Sequence, residues 1–306
     1  MKKRLLLLFL FIWIISPTHS QPLCNIEHYS IDDGLAQGVI MSIIQDQKGY
    51  MWFATWNGLN KFDGYSFQTF KANSGNDCPL DNNRIEYIVN GKCDWIWCRT
   101  YDQKAYVFNP STLKFTNVLK SFPLKDSQVR RINALRKGVV WLICDKGYCY
   151  RIDETACQHT NLTPQPFHIA NHKLNGRIIY NILQDDDEDE WILTDKGATI
   201  VGKKKILSTL PFEYMQELDN EIWLATDNGK LAKYNKQTEN ISLIALPMPS
   251  ATISAINKVG NHTLIIGTKE HGLILYNTIN NSFKQIDIRT PLQPSNEIPV
   301  SYTHLT

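Results

Sequence analysis

The chain of 306 residues lacks the short motifs that mark common catalytic sites. It has no phosphate-binding G-x-x-x-x-G-K-[ST] loop, no G-x-S-x-G nucleophile turn and no H-E-x-x-H metal motif. Its eight histidines are scattered along the chain, with His19 and His304 close to the two ends. We therefore predict no catalytic site, no metal site and no cofactor, and expect no turnover by this chain.

The chain also lacks a charge excess of either sign. Its formal net charge is +2, and Lys2, Lys3 and Arg4 supply three of the 32 basic residues, so 29 basic residues face 30 acidic ones in the remainder. Domains that bind nucleic acid carry a pronounced positive excess. Nucleic acid is therefore not a predicted partner.

Long apolar runs are absent as well. The longest, from Leu5 to Ile15, has 11 residues, about half of the roughly 20 that a membrane helix needs. It follows the basic residues 2–4 and ends before Pro17, with Thr18 and Ser20 at the positions that a signal peptidase reads. The pattern predicts a signal peptide over residues 1–20 and an exported chain that begins near Gln21.

Paired metal-binding cysteines are missing too. The chain has seven cysteines, an odd number that cannot all pair internally, and none shows the doubled C-x-x-C spacing of a zinc site. Cys144 and Cys149 flank one predicted turn. They could bond across it or remain two free, apolar thiols.

What the chain does contain is a tryptophan that recurs at a nearly constant interval. No segment shows sustained helical periodicity; instead, an apolar run is followed by a turn with Gly and by a second strand that ends before Asp or Asn. Further apolar runs supply two more strands for each copy. The period of about 43 residues is that of four-stranded propeller blades, so we predict an all-β β-propeller with about six blades. The repeated positions are Trp52, Trp97, Trp141, Trp191, Trp223 and, in the sixth copy, Ile265.

Individual copies suggest further details. A middle propeller strand is covered on both faces, so the repeated Trp is interpreted as blade-to-blade packing rather than as a sugar platform. In the second copy Gln103 replaces the turn Gly, and its hairpin loop should differ. The acidic run from Asp185 to Glu190 lacks the Gly of a calcium loop, which favours a solvated hairpin tip over a calcium site.

The first copy resembles the repeats of a known family. Four segments are similar to the two-component regulator propeller repeats. They are Ile31-Asp32-Asp33-Gly34-Leu35, then Gln45 to Gly49 leading into Trp52-Phe53-Ala54-Thr55, then Gly58 to Gly64, and Leu80 to Ile85. These repeats form the N-terminal sensor region of hybrid two-component histidine kinases in Bacteroidetes. The resemblance extends, more weakly, from about Ile26 to Tyr276.

The resemblance implies a function and partners. The chain would be a periplasmic propeller that binds glycan breakdown products, with an oligosaccharide as ligand, and that controls carbohydrate-utilisation genes. It would belong to a seven-bladed ring followed by a second propeller, an inner-membrane anchor and a histidine kinase, with a homodimer partner. Membrane contact would come only through that downstream part.

The C-terminal residues depart from the repeat. Residues 300–306 read like a translated sequencing-adapter end, which predicts a non-native tail after a partial propeller over residues 21–299. A genuine short C-terminus is the alternative. With six of seven blades the ring should be open, and Ile26 to Ile31 should pair with a late blade as the closing strand.

Candidate binding residues are those where the copies differ. The turns after the Trp strands should gather at one face of the ring, because loops on a rigid scaffold carry function. There we select Trp56, Asn57, Arg99, Tyr101 and Asp102 as ligand-binding residues. Arg99 stands where other copies have small or apolar residues, so it needs a carboxylate partner or an anionic ligand, and the former is favoured.

Two other function classes remain open at this point. One is a secreted enzyme on the same fold, such as a lyase or a glycosidase-like hydrolase. The other is a lectin-like binding module without signalling.

Overall fold

The computed structural model describes residues 29–72, 80–118, 128–154, 162, 164–168, 176–201, 205–206, 209–248 and 251–286. These residues form 24 strands in six four-stranded antiparallel sheets. Short 3-10 turns occupy Ile31–Asp33, Arg136–Gly138 and Asp145–Gly147, and the described residues include no α-helix and no helix able to span a membrane. The predicted all-β propeller with six four-stranded blades is confirmed.

Each blade is an up-and-down meander of four strands that are consecutive in the chain. Blade 1 comprises β1 (Ile40–Gln45), β2 (Met51–Thr55), β3 (Gly58–Phe62) and β4 (Phe67–Phe70), and blade 2 comprises β5 (Ile85–Asn90), β6 (Ile96–Thr100), β7 (Ala105–Asn109) and β8 (Lys114–Asn117). Blade 3 comprises β9 (Val129–Leu135), β10 (Val139–Cys144), β11 (Tyr148–Asp153) and β12 (Gln165–His168), and blade 4 comprises β13 (Ile179–Gln184), β14 (Glu190–Thr194), β15 (Gly197–Ile200) and β16 (Lys205–Ile206). Blade 5 comprises β17 (Phe212–Leu218), β18 (Glu221–Thr226), β19 (Leu231–Asn235) and β20 (Asn240–Ile244), and blade 6 comprises β21 (Ile253–Val259), β22 (Thr263–Thr268), β23 (Leu273–Asn277) and β24 (Ser282–Ile286).

The first strand of every blade is the innermost one. β1 contacts β5, β5 contacts β9, and the series continues through β13 and β17 to β21. Neighbouring blades converge toward the axis of a propeller, so strands that touch from blade to blade line that axis. No comparable contact joins β21 to β1 within the described part of the chain.

The hydrophobic core is divided among the spaces between blades. Five separate clusters of buried side chains lie between blades 1 and 2, 2 and 3, 3 and 4, 4 and 5, and 5 and 6. Among the described residues, no cluster joins blade 6 to blade 1. Within the described residues, the six blades and the five cores between them thus form an arc.

The repeated tryptophans point from each blade into the next. Trp52 packs against Phe108 of blade 2, with ring centroids 5.6 Å apart, and Trp191 packs against Tyr234 of blade 5 at 5.5 Å. The predicted packing role of these residues is confirmed. In the sixth copy Ile265 lies on the face that turns away from blade 5, opposite its neighbours Leu264 and Ile266.

Most of these indole N–H groups donate to a carboxylate, a feature that the sequence reading missed. Trp52 donates to Asp46 at 2.8 Å and Trp191 to Asp185 at 3.0 Å, in both cases six residues upstream. In blade 2 that upstream position is Gly91, and Glu154 of blade 3 reaches into the space, accepting from Trp97 at 2.5 Å. Burying an indole N–H without a partner is costly, so each acid stabilises the contact between two blades.

The acidic run forms the β13–β14 loop with a solvated tip at residues 186–188, as expected, but its first residue departs from that expectation. Asp185 is 2% exposed, and besides Trp191 it binds the backbone N–H of Asp189 at 2.8 Å and the Lys236 ammonium at 3.3 Å. The run is therefore solvated only at its tip, and its first carboxylate belongs to the core. The described residues contain no group of three or more His, Cys, Asp or Glu side chains placed to bind a metal.

Two local expectations have clear outcomes. Gln103 takes φ +60 in place of the missing Gly, and its N–H donates to the carbonyl of Thr100 at 2.8 Å, as the N–H of Gly229 donates to the carbonyl of Thr226 in blade 5 at 3.3 Å. The expectation of a different hairpin was therefore wrong, because Gln103 adopts the positive φ of the Gly that it replaces. Cys144 and Cys149 are free, buried thiols, the second of the two alternatives. Burial raises the pKa of Cys144 to about 12.

Several predictions concern residues outside the described part. These are the signal peptide over residues 1–20, Cys24, the tail at residues 300–306, and residues 26–28 of the proposed closing strand Ile26 to Ile31. The other half of that segment is described and forms no strand, since Tyr29 and Ser30 have no regular structure and Ile31 begins a 3-10 turn. Cys93 is disulfide-bonded, whereas the other described cysteines, Cys98, Cys144 and Cys149, are free.

Candidate functional site

The turns that follow the second strand of each blade lie at one end of the blades, as the repeat predicted. In every blade the end of the second strand pairs with the start of the innermost strand; Thr55 lies opposite Ile40, and Thr100 opposite Ile85. We call this end of the molecule the turn face. Its turns carry residues 56–57, 101–104, 145–147, 195–196, 227–230 and 269–272.

A buried threonine closes most of these turns. The Thr55 hydroxyl donates to the carbonyl of Gly58 at 2.9 Å and accepts from the N–H of Asn57 at 3.1 Å. Thr194, Thr226 and Thr268 make equivalent bonds. The residues displayed just beyond each threonine are thus held by internal hydrogen bonds.

The predicted aromatic pair is exposed on this face. Trp56 is 42% exposed and Tyr101 is 56% exposed, in the corresponding turns of blades 1 and 2. Sequence reasoning did not foresee that Arg84 lies beside both: its guanidinium carbon is 5.4 Å from the Trp56 ring centroid and 5.5 Å from that of Tyr101. Both distances are within cation–π range.

The backbone explains how Arg84 reaches both rings. The segment before β5 is bound by the turns of two blades, since Gly58 donates to the carbonyl of Asn83 at 2.8 Å and Tyr101 donates to that of Arg84 at 2.9 Å. Gly58 has φ +109, and a Cβ there would meet the carbonyl oxygen of Phe70 at 2.4 Å. This close packing of three backbone segments is not visible in the local sequence pattern.

Asn57 and Asp102 flank the aromatic pair and already have partners. The Asn57 amide donates to the carbonyl of Ala36 at 3.1 Å. Asp102 binds Lys104 at 3.1 Å, and the same ammonium binds Asp81 at 2.9 Å. Hydrogen bonds to Asp81 and Asp102 raise the pKa of Lys104, so one ammonium is shared by two carboxylates beside the aromatic pair.

Arg99 lies deeper than the aromatic residues and has a carboxylate partner. Its guanidinium binds Glu86 at 2.5 Å, and both side chains are mostly covered. Burial lowers the pKa of Arg99, against the opposing effect of Glu86, and its Nε has no hydrogen-bond partner. Glu86 thus supplies the carboxylate expected for an Arg at this position, while binding of a ligand by Arg99 stays a prediction.

Every innermost strand has an irregularity at the same level, close to the turn face. The pairing register shifts at one residue in each of β1, β5, β9, β13, β17 and β21, which is the pattern of a β-bulge. The unpaired residues are Met41, Glu86, Arg130, Tyr180, Glu213 and Ser254. They occupy equivalent places around the axis, and a polar residue within an apolar run is the one sequence signal that could have located them.

Charges of both signs meet at this level of the axis. Burial and the charge of Asp227 raise the pKa of Glu213, while Arg131 and Arg130 oppose that shift. Arg130 also lies 3.6 Å from Asp145 of the turn face. The axis therefore carries a mixed and largely compensated set of charges rather than a single-sign binding site.

Comparison with known proteins agrees with the first-blade resemblance. The family model for the two component regulator propeller matches residues 34–57. Over 53 residues, 17% of this chain and 4% of the relative, the chain is 42% identical to histidine kinase P4 of Formosa agariphila. The resemblance to two-component regulator propeller repeats is thus confirmed.

Solved structures agree on the fold. The extracellular domain of one B. thetaiotaomicron hybrid two-component system superimposes with a TM-score of 0.66 at 20% identity, covering 90% of this chain and 38% of that domain. The extracellular domain of a second B. thetaiotaomicron hybrid two-component system superimposes with a TM-score of 0.61 at 18% identity, covering 82% of this chain and 36% of that domain. A streptogramin B lyase superimposes with a TM-score of 0.59 at 16% sequence identity, covering 82% of this chain and 83% of the lyase. The fold by itself therefore does not separate a sensor from an enzyme. The chain spans well under half of the first two relatives.

Proposed function

We propose that this chain is the ligand-sensing propeller of a hybrid two-component sensor kinase. It binds glycan breakdown products, and the whole protein, through a downstream histidine kinase, controls genes for carbohydrate use. The family match in blade 1 and the shared fold of the two extracellular domains support the sensor assignment. The kinase, a second propeller and a homodimer partner belong to that longer protein.

The observation that carries the proposal is the pair of exposed rings on rigid turns. Trp56 and Tyr101 are 42% and 56% exposed on adjacent blades, and each follows a threonine that bonds within its turn. Sugar rings have apolar faces that stack on aromatic side chains, while their hydroxyls bind polar groups such as Asn57, Arg99 and Asp102. A rigid platform lowers the entropy lost when a flexible oligosaccharide binds.

The proposal places the chain in the periplasm after export by the signal peptide. The disulfide at Cys93 supports an oxidising compartment, and two of the similar solved structures are extracellular domains. A fusion of residues 1–286 to alkaline phosphatase should be active in the bacterial host. A fusion that starts at Gln21 should be inactive, and activity of that fusion would contradict export by residues 1–20.

Calorimetric titration with a panel of plant and host oligosaccharides tests the binding proposal. At least one glycan should bind the exported chain, and Trp56→Ala or Tyr101→Ala should weaken that binding about five- to tenfold, since a stacking contact on an aromatic ring is worth roughly 1 kcal/mol. Tyr65→Ala is the matched control, because Tyr65 is 96% exposed in the β3–β4 turn at the opposite end of blade 1. Equal binding by all three variants would remove the turn face as the ligand site.

The same panel tests whether the chain is an enzyme. Under the proposal every glycan is recovered intact after incubation, because the carboxylates beside the aromatic pair, Asp81 and Asp102, are both bound to the Lys104 ammonium. Release of a product that a single substitution abolishes would instead favour the enzyme alternative.

A further inference from the structure

We propose that Arg84 makes the turn face selective for oligosaccharides that carry an acid group, a carboxylate or a sulfate. This inference rests on the proposed function, because it names the class of glycan that the same face would bind. It adds to that function a specificity-determining residue that neither the repeat pattern nor the family match indicates.

The first step is the position of Arg84. The residue is exposed, yet its guanidinium lies within 5.5 Å of both the Trp56 and the Tyr101 ring centroids. Its backbone is bound on both sides, through Asn83 to the blade 1 turn and through its own carbonyl to the blade 2 turn. A long side chain that is anchored in this way loses less freedom when it binds a ligand.

The second step is the lack of a counter-charge. Among the described residues, no carboxylate forms an ion pair with the Arg84 guanidinium. Asp81 precedes Arg84 by three residues and Asp102 follows Tyr101, and both are engaged elsewhere, since they share the ammonium of Lys104 at 2.9 and 3.1 Å. Arg99, the other arginine of this region, is paired with Glu86. Arg84 is therefore the cation of the aromatic face that remains available.

The third step is chemical. A guanidinium packed against aromatic faces keeps the N–H donors along its edges for a ligand, and its fork of donors matches the paired oxygens of a carboxylate or sulfate. The flanking rings of Trp56 and Tyr101 then stack on the sugar that carries the acid. A neutral oligosaccharide gains the stacking contacts but not the charged hydrogen bonds.

The test uses the exported chain and chemically matched probes. Trigalacturonate should bind about tenfold more tightly than the neutral galactotriose of the same linkage, the gain expected for one charge-assisted contact, and a sulfated galactose disaccharide shows whether sulfate can replace carboxylate. Arg84→Gln should abolish the preference, while Arg84→Lys should retain part of it, since the charge stays but the fork is lost. Added salt should weaken only the binding of the acidic probes.

Arg177→Gln is the matched control. Arg177 is also exposed on the turn face, before β13, but contacts no aromatic ring among the described residues. The Arg177→Gln variant should bind trigalacturonate and galactotriose with the affinities of wild type. Thermal unfolding of each variant verifies that it is folded. Equal affinity of wild type for trigalacturonate and galactotriose, no binding of trigalacturonate, or a preference that survives Arg84→Gln would overturn the inference. Binding of galactotriose that depends on Trp56 but not on Arg84 would overturn acid selectivity while leaving the sensor proposal intact.

Discussion

At the scale of single residues, buried carboxylates fix the contacts between blades. Glu154 is 1% exposed; it accepts from the Trp97 indole at 2.5 Å and from the backbone N–H of Lys92 at 2.8 Å. The absence of a side chain at Gly91 makes room for it, because a Cβ there would meet the carboxylate at 2.5 Å. Burial raises the pKa of Glu154 above its ordinary value of 4.5, and the two hydrogen bonds only partly offset that shift.

Because of this pKa shift, the difference in the free energy of unfolding between wild type and Glu154→Gln should depend on pH. A raised pKa means that the folded state holds the proton more tightly than the unfolded chain. The stability from that proton is present below pH 4.5 and is lost as the pH rises through the folded-state pKa. The neutral Gln has no such loss, so Glu154→Gln should gain stability relative to wild type as the pH rises above about 4.5, by roughly 1.4 kcal/mol for each unit of pKa shift.

Urea denaturation at a series of pH values measures this difference. Glu239→Gln, in the exposed β19–β20 turn, controls for the removal of one acidic side chain. If the free energies of unfolding of wild type and Glu154→Gln change in parallel with pH, Glu154 is not desolvated in the folded protein.

Lys236 links blades 4 and 5 by a different means. Its ammonium binds Glu217 at 2.5 Å, Asp187 at 2.8 Å and Asp185 at 3.3 Å. Desolvation lowers the pKa of Lys236, but the hydrogen bonds to Asp187 and Glu217 outweigh it and the net shift is upward. Such a shift stabilises the folded state at every pH below the ordinary lysine value of 10.5, and the contribution is lost only as the pH rises through the folded-state pKa.

Lys236→Met should therefore destabilise the protein by about 2 kcal/mol at neutral pH, because it leaves partly buried carboxylates without a counter-charge. The loss should be constant from about pH 6 to pH 9 in chemical denaturation. Lys230→Met, at an exposed turn position, should change the free energy of unfolding little. Equal effects of the two substitutions would contradict the assigned role of Lys236.

At the scale of elements, the repeated unit is a hairpin closed by threonine. The sequence predicted the strands and turns well, because apolar runs and turn glycines report local geometry. The hydroxyl bonds were not predicted, although the recurring Thr before each turn was the available signal. Arg84 was missed for another reason: it approaches Trp56 through backbone bonds between blades, and a local pattern does not encode such a contact.

Substitution of two equivalent threonines separates folding from binding. Thr55→Val and Thr226→Val each remove a buried hydroxyl that bonds to its turn, so each should lower the free energy of unfolding by about 1–2 kcal/mol. Only Thr55→Val should also weaken oligosaccharide binding, since its turn carries Trp56. If calorimetry shows equal weakening in both variants, the turn of blade 1 has no special part in the ligand site.

At the scale of the whole molecule, the described chain is an arc with two uncovered faces. On blade 1 the face away from blade 2 carries Phe53, Phe62 and Phe67, whose rings contact one another, with Tyr29 against Phe62 at 4.8 Å. On blade 6 the face away from blade 5 carries the half-buried Ile265 and Leu275, which pair across β22 and β23. Apolar faces of this kind favour association with other chains.

Two adjacent residues of β23 test whether the arc is open. Ile274 is buried against blade 5, whereas Leu275 lies on the opposite face. Ile274→Asn should cost about 3 kcal/mol or more, and Leu275→Asn less than about 1 kcal/mol, while making the protein more monodisperse in size-exclusion chromatography. Similar, large losses of stability for both variants would indicate a closed six-bladed ring.

The most direct test of the proposed sensor role is hydrogen–deuterium exchange of the exported chain, with and without the tightest-binding acidic oligosaccharide. If the ligand binds the turn face of blades 1 and 2, the backbone amides there should exchange more slowly when it is present. The peptides concerned contain Trp56 to Gly58, Asn82 to Arg84 and Tyr101 to Lys104. The β3–β4 and β7–β8 turns at the opposite end should exchange unchanged. Protection confined to that opposite end, or to blades 4 to 6, would contradict ligand binding at the turn face of blades 1 and 2.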